Sequence, residues 1–318
     1  MKNLKENIIG KYFGNNKNII SKIVEIGDIE KLREYSNELE YYSIDNIIKR
    51  ADNEKKNKAL TDNEKIAFIG IDIQNSFMPN GELGIEEADK DVKRIVNFIW
   101  ENMDKITKFY VTLDSHRVFH IFMPSWWSDK NGNPPKPFTV ITPEDIENKK
   151  WTPCYNQNET LECLKFLKRP LVVWNYHTIE GTEGESLERN FANILYFHSR
   201  YRESEITFIK KGFSKESERY GAFKPEYNPN FENEDKIVNE IWNYDKIIFA
   251  GEARSHCLLE SINQFIEGKE ENKELMKKIY ILEDCSADII GFEEYSKTSY
   301  DRLKKLGINI VKSSNFKL

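Results

Sequence analysis

Residues 66–72 read Ile-Ala-Phe-Ile-Gly-Ile-Asp (IAFIGID), a nearly continuous apolar run of strand length that ends on a carboxylate. Such a run suits a strand buried on both faces, as in a parallel sheet, better than a half-solvated antiparallel strand. Working outward, KFYVTLD (108–114), RPLVVW (169–174), ITFIKKG (206–212), KIIFAGE (246–252) and KKIYILED (277–284) repeat the pattern, and INIVK (308–312) closes it. Helical patterns lie between them at about 86–103, 256–268 and 292–305. Strands alternating with amphipathic helices predict an α/β chain, a three-layer αβα fold on a mostly parallel sheet.

Two regions fall outside this rhythm. Before residue 65 there is no proline, glycine occurs only at 10, 14 and 27, and apolar residues recur at helical spacing. Residues 1–64 are therefore expected to be a helical N-terminal extension that closes with the polar linker DNEKKNKALTDNEK, ahead of a domain spanning 65–318. The Trp- and Pro-rich stretch at about 121–170 has little periodicity and is too long for an ordinary connection, so an inserted loop or lid is expected there.

The chain has 318 residues, 53 acidic and 47 basic, for a net charge of −6. That balance argues against nucleic acid as a partner, because phosphate binding rests on a basic excess. No apolar run approaches a membrane span, and the opening MKNLKENIIGKYFG has no signal-peptide core, so no membrane partner is expected. Cys154, Cys163, Cys257 and Cys285 form no CxxC pair, which suits free thiols in a reducing cytoplasm.

In open α/β sheets ligands bind beyond the carboxyl ends of the strands. Asp72 ends the first strand and Asp114 the second, with His116 just beyond. His177 follows the third run, Lys211 ends the fourth, and Cys257 follows the fifth. Five successive strands would thus deliver chemically able residues to one edge, the pattern of an active site. Cys257 opens a helical pattern, where backbone N–H groups and the helix dipole favour a thiolate; Lys211 would strengthen that bias, and Asp72 could accept the proton. The plainer reading is one more buried cysteine. Asp114 and His116, with His120 four residues on and His177 from elsewhere, could face one metal ion; without a metal they are a surface Asp–His pair. His198 reads as structural, His256 as a wall residue at most, Cys285 as buried, and Trp126–Trp127 as an aromatic plug.

Five segments, in order, carry a resemblance: Asp72-Ile-Gln-Asn-Ser-Phe77; Asp114-Ser-His116 with His120-Ile-Phe; Trp174-Asn-Tyr-His177-Thr-Ile-Glu-Gly-Thr-Glu-Gly184; Lys211-Gly212 followed by Ser-Glu-Arg-Tyr220-Gly-Ala-Phe223; and Gly251-Glu-Ala-Arg-Ser-His-Cys257. From about 66 to 315 the chain resembles the isochorismatase-like cysteine hydrolases, and within them the nicotinamidases. The resemblance implies a catalytic triad of Asp72, Lys211 and Cys257, an oxyanion hole from the amides of Ala253 and Cys257, and a cis peptide between Glu252 and Ala253. It implies a divalent metal, zinc or iron with manganese as a further option, held by Asp114, His116 and His177, with His120 as an additional ligand. Phe77, Trp174 and Tyr220 would surround the pyridine ring of a small-molecule amide substrate. Hydrolysis of nicotinamide to nicotinate through a thioester follows, serving pyridine nucleotide salvage in the cytoplasm, and a homo-oligomer is one expected assembly.

The chain departs from that pattern at Thr178, where nicotinamidases have Cys, at Arg117, where they have Pro, and in the long His116–His177 spacing. Glu252 and Arg254 are expected to put charge beside the nucleophile. These departures keep two alternatives open: the same chemistry on another small amide or ureido compound, and a catalytically silent ligand-binding relative.

Overall fold

The computed structural model describes residues 44–54, 57–167, 170–227 and 235–318. The chain divides into two compact units, Met1–Ile47 and Ile48–Leu318. Most of the expected helical extension lies outside the described residues; helix α1 (Ile44–Asn53) and residues 57–64 are described parts of it.

The larger unit is built on six strands: β1 (Ile66–Ile71), β2 (Lys108–Asp114), β7 (Ile206–Lys211), β8 (Lys246–Gly251), β9 (Ile279–Leu282) and β10 (Asn309–Val311). They pair in the order β10-β9-β8-β1-β2-β7, each neighbour parallel to the next. Every residue of β1 is buried, as its unbroken apolar run requires at the centre of a sheet covered on both faces. Alternate side chains divide between the two layers. Ala67, Ile69 and Ile71 join a core with Ile262 and Phe265 of α7 (Leu259–Ile266) and Tyr300 and Leu303 of α9 (Glu293–Leu306). On the other side Phe68 meets Phe98 of α2 (Ala88–Glu101), and Phe109 meets His198 of α5 (Arg189–Arg202). The expected αβα architecture is thus the observed one.

The chain runs outward from β1 through β2 to β7, then returns to the other side of β1 at β8. The ends of β1 and β8 therefore flank the point where strand order reverses, the place such sheets keep open for ligands. Register decides what meets there. Asp114 pairs with Lys211, and Ile71 pairs with Gly251, which sets Asp72 beside the segment that follows β8. Gly251 has φ +118°, and a Cβ on it would lie 2.1 Å from the Ile71 carbonyl oxygen, so only glycine permits this approach.

The run RPLVVW is not a strand of this sheet. Only Leu171–Val172 (β6) is extended, and it pairs antiparallel with Val140–Ile141 (β4) inside the insert. Its apolar residues are satisfied locally, in a separate core with Ile121, Phe122, Met123, Trp126, Trp127, Ile141, Cys163 and Leu164. The insert is therefore a packed subdomain. It also holds the β3 (Trp127–Ser128) and β5 (Thr152–Pro153) pair and helices α3 (Pro143–Glu147) and α4 (Gln157–Phe166). Trp126 and Trp127 plug it as expected, donating to Thr160 Oγ1 (3.1 Å) and to the Ile121 carbonyl (2.6 Å).

Part of the polar stretch 52–65 is pinned to the sheet unit. The fully buried Arg202 of α5 donates to the Asn57 carbonyl (2.6 Å) and to both carboxylate oxygens of Asp62 (2.6 and 2.7 Å).

Candidate active site

Asp72, Asp114, Lys211 and Cys257 converge at the carboxyl ends of β1, β2, β7 and β8. The Lys211 ammonium lies 2.8 Å from Asp72 Oδ2, 2.8 Å from Asp114 Oδ1 and 3.7 Å from Cys257 Sγ. Asp72 adopts φ +48°, a conformation a non-glycine residue holds only when its surroundings impose it. Thr112 imposes it: its hydroxyl donates to Asp72 Oδ1 (2.5 Å) and accepts from the Asp72 amide (2.7 Å). The Gln74 side chain spans the same gap, accepting from the Asp114 amide and donating to its carbonyl, both at 2.8 Å. Neither residue was assigned a role from the sequence. Thr112 was signalled only by period-two spacing from Asp114, which puts both on one face of β2.

Burial sets the electrostatics. It works against the charge on Lys211, but Asp114 and Asp72 outweigh it and hold the ammonium well above the usual lysine range. Burial likewise works to raise Asp114, but His116 and Lys211 hold that carboxyl well below its ordinary value. For Asp72 burial prevails over Lys211, and the carboxyl is raised. Cys257 overturns the expectation of a thiolate. Desolvation pushes its thiol well above the ordinary range, Asp72 and Asp114 add to the shift, and Lys211 only opposes it. The residue lies inside an irregular π-turn, Arg254–Leu258, before α7 begins, and its thiol is hydrogen-bonded to Asp72. Burial thus works toward the protonated form of both groups. Cys257 keeps partial exposure, which a nucleophile needs.

The second cluster is Asp114, His116 and His177, whose donor atoms all lie within 4.8 Å of one another. His116 Nε2 is 2.7 Å and His177 Nε2 3.6 Å from Asp114 Oδ2, the oxygen Lys211 leaves free. His177 arrives on a loop, not on a strand of the sheet, so four sheet strands, not five, supply the edge. A bridge between His116 and Ile179 pins that loop, and the Asn175 carbonyl contacts His177 Nδ1 at 2.7 Å, turning Nε2 inward. A Cβ on Gly212 (φ +89°) would lie 2.6 Å from His116 Nδ1, so glycine makes room for the imidazole. Two imidazoles and a carboxylate, with His177 oriented by the Asn175 carbonyl and Asp114 by Lys211, fit a divalent transition metal with open positions. His120 is fully buried with its ring 5.5 Å from that of His116 and neither nitrogen paired, yet it lies outside the three-residue cluster. We expect His116→Ala to lower bound metal severalfold relative to the parent protein, measured by elemental analysis after dialysis. Unchanged metal content would refute this ligand set.

Aromatic side chains line the approach. Phe77 meets His177 edge-on (5.8 Å), while Trp174, Tyr220 and His256 touch one another at 6.0–6.4 Å between ring centres. His256 thus packs in this aromatic cluster. Trp174 Nε1 donates to Glu218 Oε2 (3.2 Å), a buried carboxyl that burial, with Asp114 adding, pushes up to about 7. Glu218 is 44 residues away in the chain, so nothing local signals that partner. Glu252 and Arg254 do not charge the pocket. Glu252 accepts from the Ala287 amide (3.0 Å), and Arg254 donates to the Glu283 carbonyl (3.2 Å) and lies 4.4 Å over the Tyr300 ring. The Glu252–Ala253 peptide is cis, as the resemblance implied. His198 bonds the Ile106 carbonyl at 2.8 Å inside the core, and Cys285 is buried, both as expected.

This arrangement of parallel sheet, switch-point carboxylate, lysine and cysteine is built on an α/β fold that solved nicotinamidase structures share. The fold is shared with a nicotinamidase/pyrazinamidase from Acinetobacter baumanii, at 18% identity over 80% of this chain and 99% of that one, with a TM-score of 0.55. The yeast nicotinamidase Pnc1p bound to the inhibitor nicotinaldehyde is similar at 19% identity over 78% and 99% of the chains, with a TM-score of 0.54. The sequence matches no family model and no curated protein.

Proposed function

We propose that this chain is a metal-dependent cysteine amidohydrolase that converts nicotinamide to nicotinate and ammonia. The observation that carries the reading is Lys211, with its ammonium 2.8 Å from two buried carboxylates and 3.7 Å from a partly exposed thiol. A binding module has no use for that combination. Asp72, raised by burial, is suited to take the Cys257 proton as sulfur attacks the carboxamide carbon. The backbone amides of Ala253 and Cys257 would receive the oxyanion, each such donor being worth roughly 3–4 kcal/mol. Asp72 then returns the proton to the departing ammonia, and water hydrolyses the thioester. Lys211 keeps its charge throughout, holding Asp72 in place and offsetting negative charge on sulfur. Asp114, His116 and His177, with His120 beside them, would hold zinc, iron or manganese, which when bound supplies a Lewis-acid anchor for the ring nitrogen. Phe77, Trp174 and Tyr220 would flank that ring.

The reading carries with it a cytoplasmic role in pyridine nucleotide salvage and a small-molecule substrate; no helix among the described residues is long and apolar enough to cross a membrane. The packed insert favours a second reading, in which the same chemistry acts on another small amide or ureido compound, because Trp174 and Tyr220 belong to the insert's core. The test is release of ammonia and nicotinate from nicotinamide, with and without a chelator. Chelator-sensitive release supports the first reading. No release from folded, metal-loaded protein rejects nicotinamide, and turnover of a panel of small amides then supports the second.

A further inference from the structure

Glu252, which precedes Ala253 in the segment assigned to the oxyanion hole, and Asp91 are buried carboxyls whose side chains are hydrogen-bonded to each other. They are 1% and 2% exposed, and Asp91 lies in the first turns of α2. Glu252 Oε2 accepts from the Ala287 amide (3.0 Å), and Asp91 Oδ1 is paired with Arg94. The other oxygens, Glu252 Oε1 and Asp91 Oδ2, have no further N–H or O–H partner. Two acceptors cannot bond each other unless a proton lies between them, and two adjacent buried carboxyls do not both ionise. Arg94 favours the charge on Asp91, so Glu252 is the proton donor. Burial first, and then the neighbouring Asp91, hold the Glu252 carboxyl well above its ordinary range. The other ionisable groups facing the pair are Arg94 and Glu87 from α2, Cys285 and Asp284 beyond β9, and Tyr300 from α9.

The same turn of α2 reaches the next residue. Ala253 packs with Ala88, Phe77 and Ile85 in a small apolar cluster, while the Glu252 amide bonds the Ile71 carbonyl (2.8 Å) and the Arg254 amide bonds the Ala287 carbonyl (2.9 Å). The segment is therefore held at its backbone, at the Ala253 methyl and at the Glu252 carboxyl. We propose that the Glu252–Asp91 pair, sharing one proton, is a positioning device that fixes the Ala253 amide for the developing oxyanion; its catalytic consequence rests on the amidohydrolase reading above.

Two variants and two kinds of readout test this. Glu252→Gln keeps both contacts, because its amide oxygen accepts from Ala287 and its NH₂ donates to Asp91, but it has no proton to lose. Glu252→Leu removes both. Glu252→Leu is expected to lower kcat by about 10-fold or more with KM little changed, since one oxyanion donor is worth roughly 10²–10³ and here it is displaced, not deleted. Glu252→Gln is expected to keep kcat near the parent value and to lose the alkaline fall in kcat that ionisation of the pair causes. The substrate-independent readout is the infrared difference spectrum at neutral pH, in which Glu252→Gln loses one protonated-carboxylic-acid band that the parent shows, while any contribution of Glu218 or Asp72 is common to both. Stability follows the same logic. A carboxyl raised in the folded state costs nothing below its unfolded pKa, and the cost grows as pH rises toward the folded one. Parent stability should therefore fall, relative to Glu252→Gln, from the ordinary carboxyl range upward. An absent difference band and parallel stability curves overturn the shared proton, whatever the substrate proves to be. Equal kcat in Glu252→Leu and the parent overturns the positioning role. If the parent hydrolyses no amide, the function fails separately and the infrared and stability results still decide the pair.

Discussion

Cys257→Ala is expected to abolish turnover and to leave the fold intact. The sulfur touches both Asp72 and Lys211, so under the proposed mechanism its loss removes the covalent route. The expected fall in kcat is roughly 10⁴-fold or more, the range seen when a catalytic nucleophile is deleted. The fold should tolerate the change. Cys257 is partly exposed and packs at the edge of the core, and alanine suits the turn into α7. Circular dichroism and metal content should match the parent. A companion measurement addresses the resting state. Because burial and two carboxylates hold the thiol above its ordinary range, alkylation by iodoacetamide without substrate should be slow at neutral pH and accelerate as pH rises past the normal thiol range. Rapid alkylation at pH 7 would restore the thiolate that a helix start suggested, and retained turnover in the alanine variant would remove Cys257 from the mechanism.

Lys211→Met should cost both activity and stability. The substitution conserves the stem of the side chain but leaves Asp72 and Asp114 buried side by side without the cation that each contacts at 2.8 Å. Breaking a buried pair by deleting one partner typically costs about 3–5 kcal/mol, a large share of the roughly 5–15 kcal/mol that holds a domain folded. The sign of its pH dependence is fixed by Asp114. His116 and Lys211 hold that carboxyl well below its unfolded value of 3.8, so its contribution is present above that pH and is lost as pH falls through the folded value. In Lys211→Met one carboxyl can take up a proton, so the destabilisation should be greatest at pH 7 and shrink on acidification toward pH 4. Denaturant midpoints of parent and variant at the two pH values check this. Equal midpoints at pH 7 would mean that the carboxylates do not depend on Lys211.

Both predictions rest on residues whose position was legible in the chain. Asp72, Asp114 and Lys211 each close an apolar run, and the runs are long enough to mark where a strand stops. The insert was harder to read. RPLVVW has the composition of a sheet strand, but composition reports how deeply a segment is buried and not which strand it pairs with. Its partner proved to be Val140–Ile141, in a core of its own. The His177 position was legible as a motif, but its support, through the His116–Ile179 bridge, joins residues 63 apart and leaves no local trace. Charge was the least legible property. Glu252 and Arg254 are neighbours of the nucleophile in the chain, yet one turns to Ala287 and Asp91 and the other to Tyr300.

The chain by itself determined the αβα class, the strand ends that carry Asp72, Asp114 and Lys211, and the identities of Cys257, His116 and His177, because periodicity and residue chemistry are local properties. Tertiary structure alone decided that Thr112 and Gln74 hold the carboxylates, that Glu218 backs Trp174, and that burial raises the Cys257 thiol. Protonation and hydrogen bonding depend on what surrounds a group once water is gone, and those surroundings are assembled from strands far apart in sequence.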